Sequence, residues 1–331
     1  MSRSLPAVSV VLPTRNRAAL LTRTLDSLVQ QTLPAERFEI IVVDNGSTDG
    51  TAGVVESAAV RLPQLRYLRT EQPGLHVARH AGLRAARSEV LLFGDDDIRA
   101  ATTWVEAIVD CFSDRRVGVA GGRCLPDFET TPPAWIDSLW TAMDGGKVLG
   151  AYSLVDLGAS RREVAHTLLY GCNYAVRRSL ALEFGGFHPD SLPESLWRLR
   201  GDGETGLSRK IVGSGHTAMY EPAATVHHFV SRERMSPGYL ERRAFAQGIS
   251  DSYAVLRYGG PMAPRYLSAL RARALATWRA SRLADEEARR VLHAQARGYW
   301  EGLRFHRRQL RQDPSLHAWV TQTTYLDHGS H

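Results

Sequence analysis

The sequence predicts an α/β fold: a Rossmann-like, mainly parallel central sheet flanked by helices, with a helical extension at the C-terminal end. Three observations carry that expectation. Short apolar runs rich in β-branched residues alternate with segments of helical periodicity over the first 125 or so residues. The ends of those runs collect polar side chains, where open α/β sheets bind their ligands. Beyond about residue 232 the chain turns arginine- and alanine-rich, with helical spacing.

The elements follow in order. VSVVLP (8–13) reads as a buried strand, and RAALLTRTLDSLVQQ (17–31) continues with apolar residues at helical spacing. FEIIVVD (38–44) is a second buried strand. STDGTAGVVESAAV (47–60) opens with turn and capping residues and becomes helical. LRYLRT (65–70) is a short strand, GLHVARHAGLRAA (74–86) a helix and EVLLFG (89–94) a fourth strand. Thr103 and Glu106 have capping-box spacing, which predicts a helix from Trp104. VGVAGGR (117–123) is another strand, and residues 125–165 are irregular, broken by TPPAW and GGK. HTLLYGCNYAVRRSLALEFGGF (166–187) predicts a strand or loop, then a short helix from near Arg178. ETGLSRKIVGSG (204–215) is a helix with a glycine stop. TAMYEPAATVHHF (217–229) reads as two extended pieces broken by Pro222.

Composition bounds the function. The 331 residues are 44% hydrophobic and 23% charged, which is ordinary globular material. The net charge is +6, carried almost wholly by arginine, since Lys147 and Lys210 are the only lysines. A soluble protein with a basic tail accounts for that charge; attraction to a phosphate-bearing substrate or an anionic membrane is the alternative. No nucleic-acid-binding signature is present. Cys111, Cys124 and Cys172 are odd in number and widely spaced, against a disulfide framework or a cysteine-rich metal site. The apolar run near the N-terminus is too short for a signal peptide, and no segment has the length of a membrane span. A cytoplasmic location, with at most a peripheral membrane contact, is the expectation.

The chemistry gathers after the strands. Thr14–Arg17, Asp44–Asn45 and Asp95–Asp97 all fall at strand ends that a parallel sheet brings to one edge. Three consecutive carboxylates repel one another. They make sense if a hard divalent cation sits on them and bridges to a phosphate, as Mg²⁺ and Mn²⁺ do. The alternative is a solvated loop capping the next helix.

Seven stretches in order resemble a family 2 glycosyltransferase of the GT-A fold: VSVVLPTRNRAALLTRTLDSL, EIIVVDNGSTDGT, GLHVARHAGL, VLLFGDDDI, YGCNYAVRRSLALEFGGF, GDGETGLSRKIVGSG and YEPAATVHH. The resemblance covers roughly residues 7–235. It implies a GT-A catalytic domain at 1–232, with nucleotide-sugar binding in 1–125 and an acceptor-side part in 126–232. Residues 233–331 would be the helical extension. It also implies roles. Pro13 and Arg15 would lie along the nucleotide base, and Asp44 would hydrogen-bond that base, commonly uracil in this family. Arg79 would contact base or diphosphate, with His80 standing where the family usually has asparagine. Asp95–Asp97 match the DXD motif. Asp97 leads for direct metal contact, with Asp95 and His228 beside it, and Asp95 and Asp96 would hold ribose or metal-bound water. His227 competes with His228. Residue alternatives stay open: an Asx-turn for Asp44, a surface helix position for Arg79, packing for the histidine pair.

Inverting transfer also needs a base beside the acceptor hydroxyl. The family's adjacent acidic pair is split here by a glycine, RGDGETG, leaving Glu204 as the leading base and Asp202 as the alternative. Acids favouring a helix N-terminus are the structural explanation of both. In YGCN, Gly171 suits close backbone approach, Asn173 would bond sugar hydroxyls, and Cys172 would be packed. Trp104, Trp135 and Trp197 are sugar-stacking candidates, with core packing the default for each.

The expected activity is transfer of a sugar from a nucleotide-diphosphate donor, UDP-sugar first, to a hydroxyl of a glycan, lipid-linked glycan or natural product. Mn²⁺ or Mg²⁺ would be the cofactor. A nucleotidyltransferase is the first alternative, but LPTRNRAAL lacks the glycine-rich phosphate loop such enzymes carry after the first strand. A non-catalytic nucleotide- or sugar-binding subunit is the second. The basic, aromatic-interleaved tail from Arg232 to Arg311 either packs on the catalytic part or meets an anionic lipid surface.

Overall fold

The computed structural model of the protein describes residues 5–72, 74–189, 198–199, 201–259, 274, 278, 281–283, 285–313 and 315–326. The first half alternates as expected: β1 (Val8–Thr14), α1 (Ala18–Leu28), β2 (Phe38–Asp44), α2 (Thr51–Ala59), β3 (Leu65–Arg69), α3 (Leu75–Ala85) and β4 (Val90–Gly94). Then come β5 (Ile98–Ala100), α4 (Trp104–Cys111) and the long β6 (Val117–Phe128). The irregular stretch holds four short strands: β7 (Thr141–Met143), β8 (Gly146–Leu149), β9 (Leu154–Asp156) and β10 (Arg162–Glu163). The sheet is completed by β11 (Asn173–Arg177) and, after α5 (Arg178–Glu183) and α6 (Gly203–Gly213), by β12 (Thr217–Val230). The extension contains α7 (Pro237–Gly259), α8 (Glu286–Gln312) and α9 (Ser315–Thr321).

The main strand order is β3-β2-β1-β4-β11-β6-β9-β8-β7. The first four strands run parallel, and β11 then pairs antiparallel with β4 and β6. β12 lies parallel to β6 and antiparallel to β5 and β10. Successive side chains of a strand face opposite sides, and here both sides are buried. Val8, Val10, Leu12, Ile40 and Val42 meet α1 and α4, whereas Val11, Ile41 and Val43 meet α3 and α6. That two-sided burial is why the strands read as unbroken apolar runs.

Two local expectations are corrected. Thr103 precedes α4 but makes no capping bond; its hydroxyl donates to the Ala223 carbonyl, and Glu106 instead accepts from Thr32. Residues 217–230 form one strand rather than two pieces. Pro222 falls where the pairing with β6 shifts register between Glu221 and Val226, so its missing N–H breaks no ladder.

The extension is packed on the sheet region. Met235, Leu240 and Val291 share an apolar cluster with Ile136, Leu149, Tyr152 and Val230. Among the described residues no helix is long and apolar enough to cross a membrane.

Candidate active site

The triple aspartate forms the turn between β4 and β5. Thr24 on α1 fixes that turn by donating to the carbonyls of Asp96 (2.9 Å) and Ile98 (2.8 Å). β5 then pairs with β12 so that Ile98 faces His228, and the Phe229 N–H donates to the Asp97 carbonyl at 2.8 Å. One short antiparallel pairing therefore brings together residues 95–97 and 228. Strand alternation decides between the two histidines: His228 is buried against the aspartates, and His227 points to the other face of β12 beside Arg99.

Asp95, Asp97 and His228 offer three ligand atoms that all lie within 4.8 Å of one another. The His228 Nδ1–H donates to the Tyr152 carbonyl at 2.8 Å, which aims Nε2 at Asp97. Nε2 stands 3.1 Å from Asp97 Oδ1. Two such atoms at that distance need a cation between them, a proton on the imidazole or a metal ion. Two carboxylates and one oriented imidazole fit a hard or borderline divalent cation such as Mn²⁺.

Asp96 faces away from this trio. Its carboxylate accepts from Thr14 Oγ1 at 2.7 Å and Arg17 at 2.8 Å. Arg17 also reaches Asp97 Oδ2 at 3.0 Å, and Arg234 approaches the same oxygen at 3.7 Å. Burial pushes the Asp96 carboxyl up to about 6 despite Arg17. Burial, with the adjacent Asp97 charge, also raises Asp95. At Asp97 burial works against the charge, but His228, Arg17 and Arg234 outweigh it and hold the carboxyl at about 2. Burial likewise opposes a charged His228, but the surrounding Cys172, Asp97 and Asp95 overcome it and raise the imidazole to about 9.

Glu204 and Asp202 part company. Gly203 between them has φ +46°, a left-handed turn that glycine adopts without strain. Glu204 turns toward the sheet, where Oε1 accepts the Gly171 N–H at 2.9 Å and Oε2 accepts from buried Arg79 at 3.1 Å. Asp202 turns toward the extension and accepts from the Tyr258 hydroxyl at 2.8 Å. Glu204 also lies close enough to Asp95 to act on its charge, as does Arg79.

The remaining expected residues are placed as follows. Asp44, at the end of β2, is wholly buried. Its Oδ1 accepts the Ser47 N–H at 2.7 Å, and its Oδ2 accepts from Tyr67 Oη at 2.5 Å and Arg69 at 3.3 Å. Burial disfavours its charge, but these bonds prevail and its carboxyl lies below the usual range. Pro13 is buried in β1 beside Val43, and Arg15 is exposed in the loop beyond it. Arg79 is tied to Glu204 and stands 5.4 Å over the Phe187 ring, not on the surface. His80 is a buried packing residue whose Nε2 accepts the Phe187 N–H. Cys172 is buried with its sulfur 3.8 Å from that of Cys124.

Asn173 is a correction. Its Oδ1 accepts from Trp104 Nε1 at 2.9 Å and its amide donates to the Ala224 carbonyl at 2.7 Å, so the side chain is turned into the core and fully engaged. Trp104 is core for the same reason, Trp135 packs at the edge of an apolar cluster, and Trp197 lies outside the described residues.

Arg234, Tyr67, Arg69 and Tyr258 were not foreseen from the sequence, and Arg17 was placed at the edge within the Thr14–Arg17 cluster without a role of its own. Arg17 carried a weak signal, since it shares the polar strand-end loop with Arg15. The others reach the site only through long-range pairing.

The chain is 31% identical over 193 residues to glycosyltransferase AglE of Haloferax volcanii, covering 56% of this chain and 58% of that protein. It is 44% identical over 106 residues to validoxylamine A glucosyltransferase of Streptomyces hygroscopicus subsp. jinggangensis, covering 31% of this chain and 25% of that protein. The chain thus spans well under two thirds of either relative. In structure it is similar to the mannosyltransferase PcManGT from Pyrobaculum calidifontis, solved in complex with GDP-Man and Mn²⁺. The TM-score is 0.57 at 22% identity, over 99% of this chain and 86% of that one. That likeness shows the expected GT-A fold. Glu204 and His228 fall beyond the stretch that matches a family model, whereas the DXD aspartates, Asp44 and Arg79 fall within it. That stretch, residues 9–180 and just over half of the chain, matches glycosyl transferase family 2, and the chain belongs to that family.

Proposed function

We propose that the protein is an inverting glycosyltransferase that moves a sugar from a nucleotide-diphosphate sugar to a hydroxyl acceptor. The observation that carries the reading is the cluster of half-buried Asp95 with buried Asp97 and His228 at the strand ends, with an independently held carboxylate, Glu204, beside it. Asp97, Asp95 and His228 would hold the divalent cation; the end of β1 from Pro13 to Arg15 would hold the nucleoside end, with buried Asp44 acting there through the Tyr67 hydroxyl and Arg69 that it orients. A bound cation there supplies positive charge to the departing diphosphate. Arg17 and Arg234 add to that charge from the protein side.

Glu204 is the base. The Gly171 N–H and Arg79 fix the orientation of its carboxylate, and each oxygen keeps a lone pair free. It takes the acceptor hydroxyl proton as that oxygen bonds to the anomeric carbon. The bond to the diphosphate oxygen breaks on the opposite face, and the diphosphate leaves with the electron pair, so the anomeric configuration inverts. Asp202 is unsuited to this step, because its carboxylate faces Tyr258.

UDP-sugar remains the first donor to test. PcManGT was solved with GDP-Man, which puts GDP-sugars in the same panel. The exposed arginines 297, 304, 308 and 311 on α8 support a peripheral contact with an anionic surface. Three free cysteines are in keeping with a reducing cytoplasm.

The test is thermal denaturation with UDP-glucose and GDP-mannose, each with Mn²⁺, Mg²⁺ or EDTA. A ligand of the folded state alone raises Tm by mass action. A metal-dependent rise with one donor is expected, lost in Asp97→Ala and kept in Glu204→Gln, while Glu204→Gln abolishes transfer. No rise with any nucleotide sugar would sink the donor-site reading; full transfer by Glu204→Gln would remove Glu204 as base.

A further inference from the structure

We infer that the C-terminal extension is part of the transfer site. Tyr258 on α7 is a positioning residue that acts through Asp202 to hold the first turn of α6, and with it Glu204, in register with Gly171. This rests on Glu204 being the base carboxylate.

Four observations converge. Asp202 precedes α6 and has the right chemistry to cap it, yet it makes no side-chain capping bond. Its Oδ2 instead accepts from Tyr258 Oη at 2.8 Å, across 56 residues of sequence. Choosing a distant phenol over two or three adjacent N–H groups gives up the usual capping stabilisation, so the long-range tie has a use that capping lacks.

Next, α6 is shaped to receive that pair. A Cβ at Gly206 would stand 2.3 Å from Asp202 Oδ1 and 2.9 Å from Tyr258 Oη. A glycine within a helix lowers its stability; here it is what lets the hydroxyl and carboxylate lie against the first turn.

One turn further on, the same helix is gripped again from the extension. The Arg209 guanidinium lies 4.1 Å over the Tyr258 ring. Lys210 donates to the carbonyls of Phe184 and Thr323, the latter in the segment that follows α9.

Lastly, that segment is itself anchored. The Tyr325 N–H donates to the Gly185 carbonyl at 2.7 Å, and the buried Tyr325 ring packs 4.5 Å from His188. His188 bridges to Gly203, the residue between the two acids. Glu204 is therefore held from the sheet side by Gly171 and Arg79, while its helix is held from the other side by Tyr258, Thr323 and Tyr325. Removing one side leaves the carboxylate attached to a helix end that is free to shift.

Hydrogen–deuterium exchange of the full chain reads this without any substrate, because the Gly171 amide is protected by Glu204 itself. Tyr258→Phe removes one hydroxyl and Asp202→Ala removes its acceptor. Each should speed exchange at Gly171–Cys172 and in the first turn of α6 on the order of tenfold, the factor that loss of one hydrogen bond corresponds to. Exchange in β1 and β4 stays as in the wild type. Asp202→Asn, whose amide oxygen still accepts from Tyr258, should keep most of the protection. Should Tyr258→Phe loosen β1 and β4 as well, the Asp202→Asn and Asp202→Ala pair decides. Wild-type exchange at Gly171 in Tyr258→Phe or in Asp202→Ala overturns the proposal, and so does equal loss in Asp202→Asn and Asp202→Ala. Glu204→Gln tests the base separately: it leaves the Tyr258–Asp202 bond intact, so continued transfer by that variant would refute the base and leave the exchange result standing.

Discussion

Asn173→Ala separates a structural amide from a sugar-binding one. Asn173 opens β11 opposite Gly94, one residue from the triple aspartate, so its position alone suggests contact with donor. Its bonds point elsewhere. Truncation would leave the Trp104 Nε1–H and the Ala224 carbonyl without partners, both in buried surroundings, and remove a weaker contact to the Arg123 carbonyl at 3.4 Å. Each orphaned buried group costs about 1–3 kcal/mol. The sum for the two groups is therefore about 2–6 kcal/mol, with no new favourable contact to offset it. With an unfolding entropy of about 2.1 cal/mol/K per residue over 331 residues, that corresponds to a fall in Tm of roughly 3–9 °C. The assay is thermal denaturation beside a donor titration, both with Mn²⁺ and the nucleotide sugar that stabilises the wild type, the titration run well below the lowered Tm. The expected result is a large loss of Tm with donor affinity within about threefold of wild type, since a 0.6 kcal/mol change is already near that factor. An unchanged Tm together with lost donor affinity would refute the reasoning and return Asn173 to the sugar site.

Two further outcomes follow from the charges. Arg17 is half exposed and bonded to both Asp96 and Asp97; Arg17→Gln should tighten donor-free Mn²⁺ binding roughly two- to fivefold by calorimetry, the scale of a partly screened ion pair, and weaker binding would refute a repulsive role for the guanidinium. Burial, aided by Arg257, holds the His188 imidazole down at about 3, and burial holds His306 at about 4. The folded state therefore refuses protons that the unfolded chain accepts near pH 6.5, so stability is full above that pH and lost as pH falls towards 4. By pH 4.5 each histidine removes ~2.5 kcal/mol, while Asp96, raised to about 6, returns ~2 kcal/mol by protonating in the folded state. The net is a Tm that falls from pH 6.5 to 4.5 in metal-free buffer, and a flat or rising Tm over that window would show the sign to be wrong.

Much of the fold was legible because two-sided burial writes itself into sequence. Val8–Thr14, Phe38–Asp44 and Val90–Gly94 have no solvent-facing side, so each reads as an apolar run ended by polar residues. The same logic gathered Asp44 and Asp95–Asp97 at one edge, since parallel strands end on the same side of the sheet; His228 joins the aspartates through the antiparallel pairing of β12 with β5. Local rules failed where a distant partner outbid a near one. Thr103 and Glu106 have the spacing of a capping box, but Ala223 and Thr32 take their bonds. Pro222 breaks a strand in isolation, but a shift in pairing with β6 absorbs it. Asn173 has the chemistry of a sugar ligand, but Trp104, far away in sequence, claims it.

The acids at RGDGETG show why this limit falls hardest on the site. Sequence yields two candidate carboxylates and a glycine, and helix-terminus electrostatics favours both acids equally. What separates them is the backbone at Gly203. A residue with φ +46° between two side chains sends them to different neighbours, and no propensity at 202 or 204 encodes which neighbour is which. The decision lies with Arg79 and Gly171 on one side and Tyr258 on the other, all far from this turn in sequence. If the split were incidental, filling Gly203 with alanine would be tolerated. Alanine at a left-handed position is destabilising by about 1 kcal/mol. In the arrangement seen here the same strain would also swing one acid off its partner. Gly203→Ala should therefore loosen the Gly171 amide by more than its effect on Tm accounts for, and an exchange rate there that merely tracks the fall in Tm would show that the glycine serves the helix start alone.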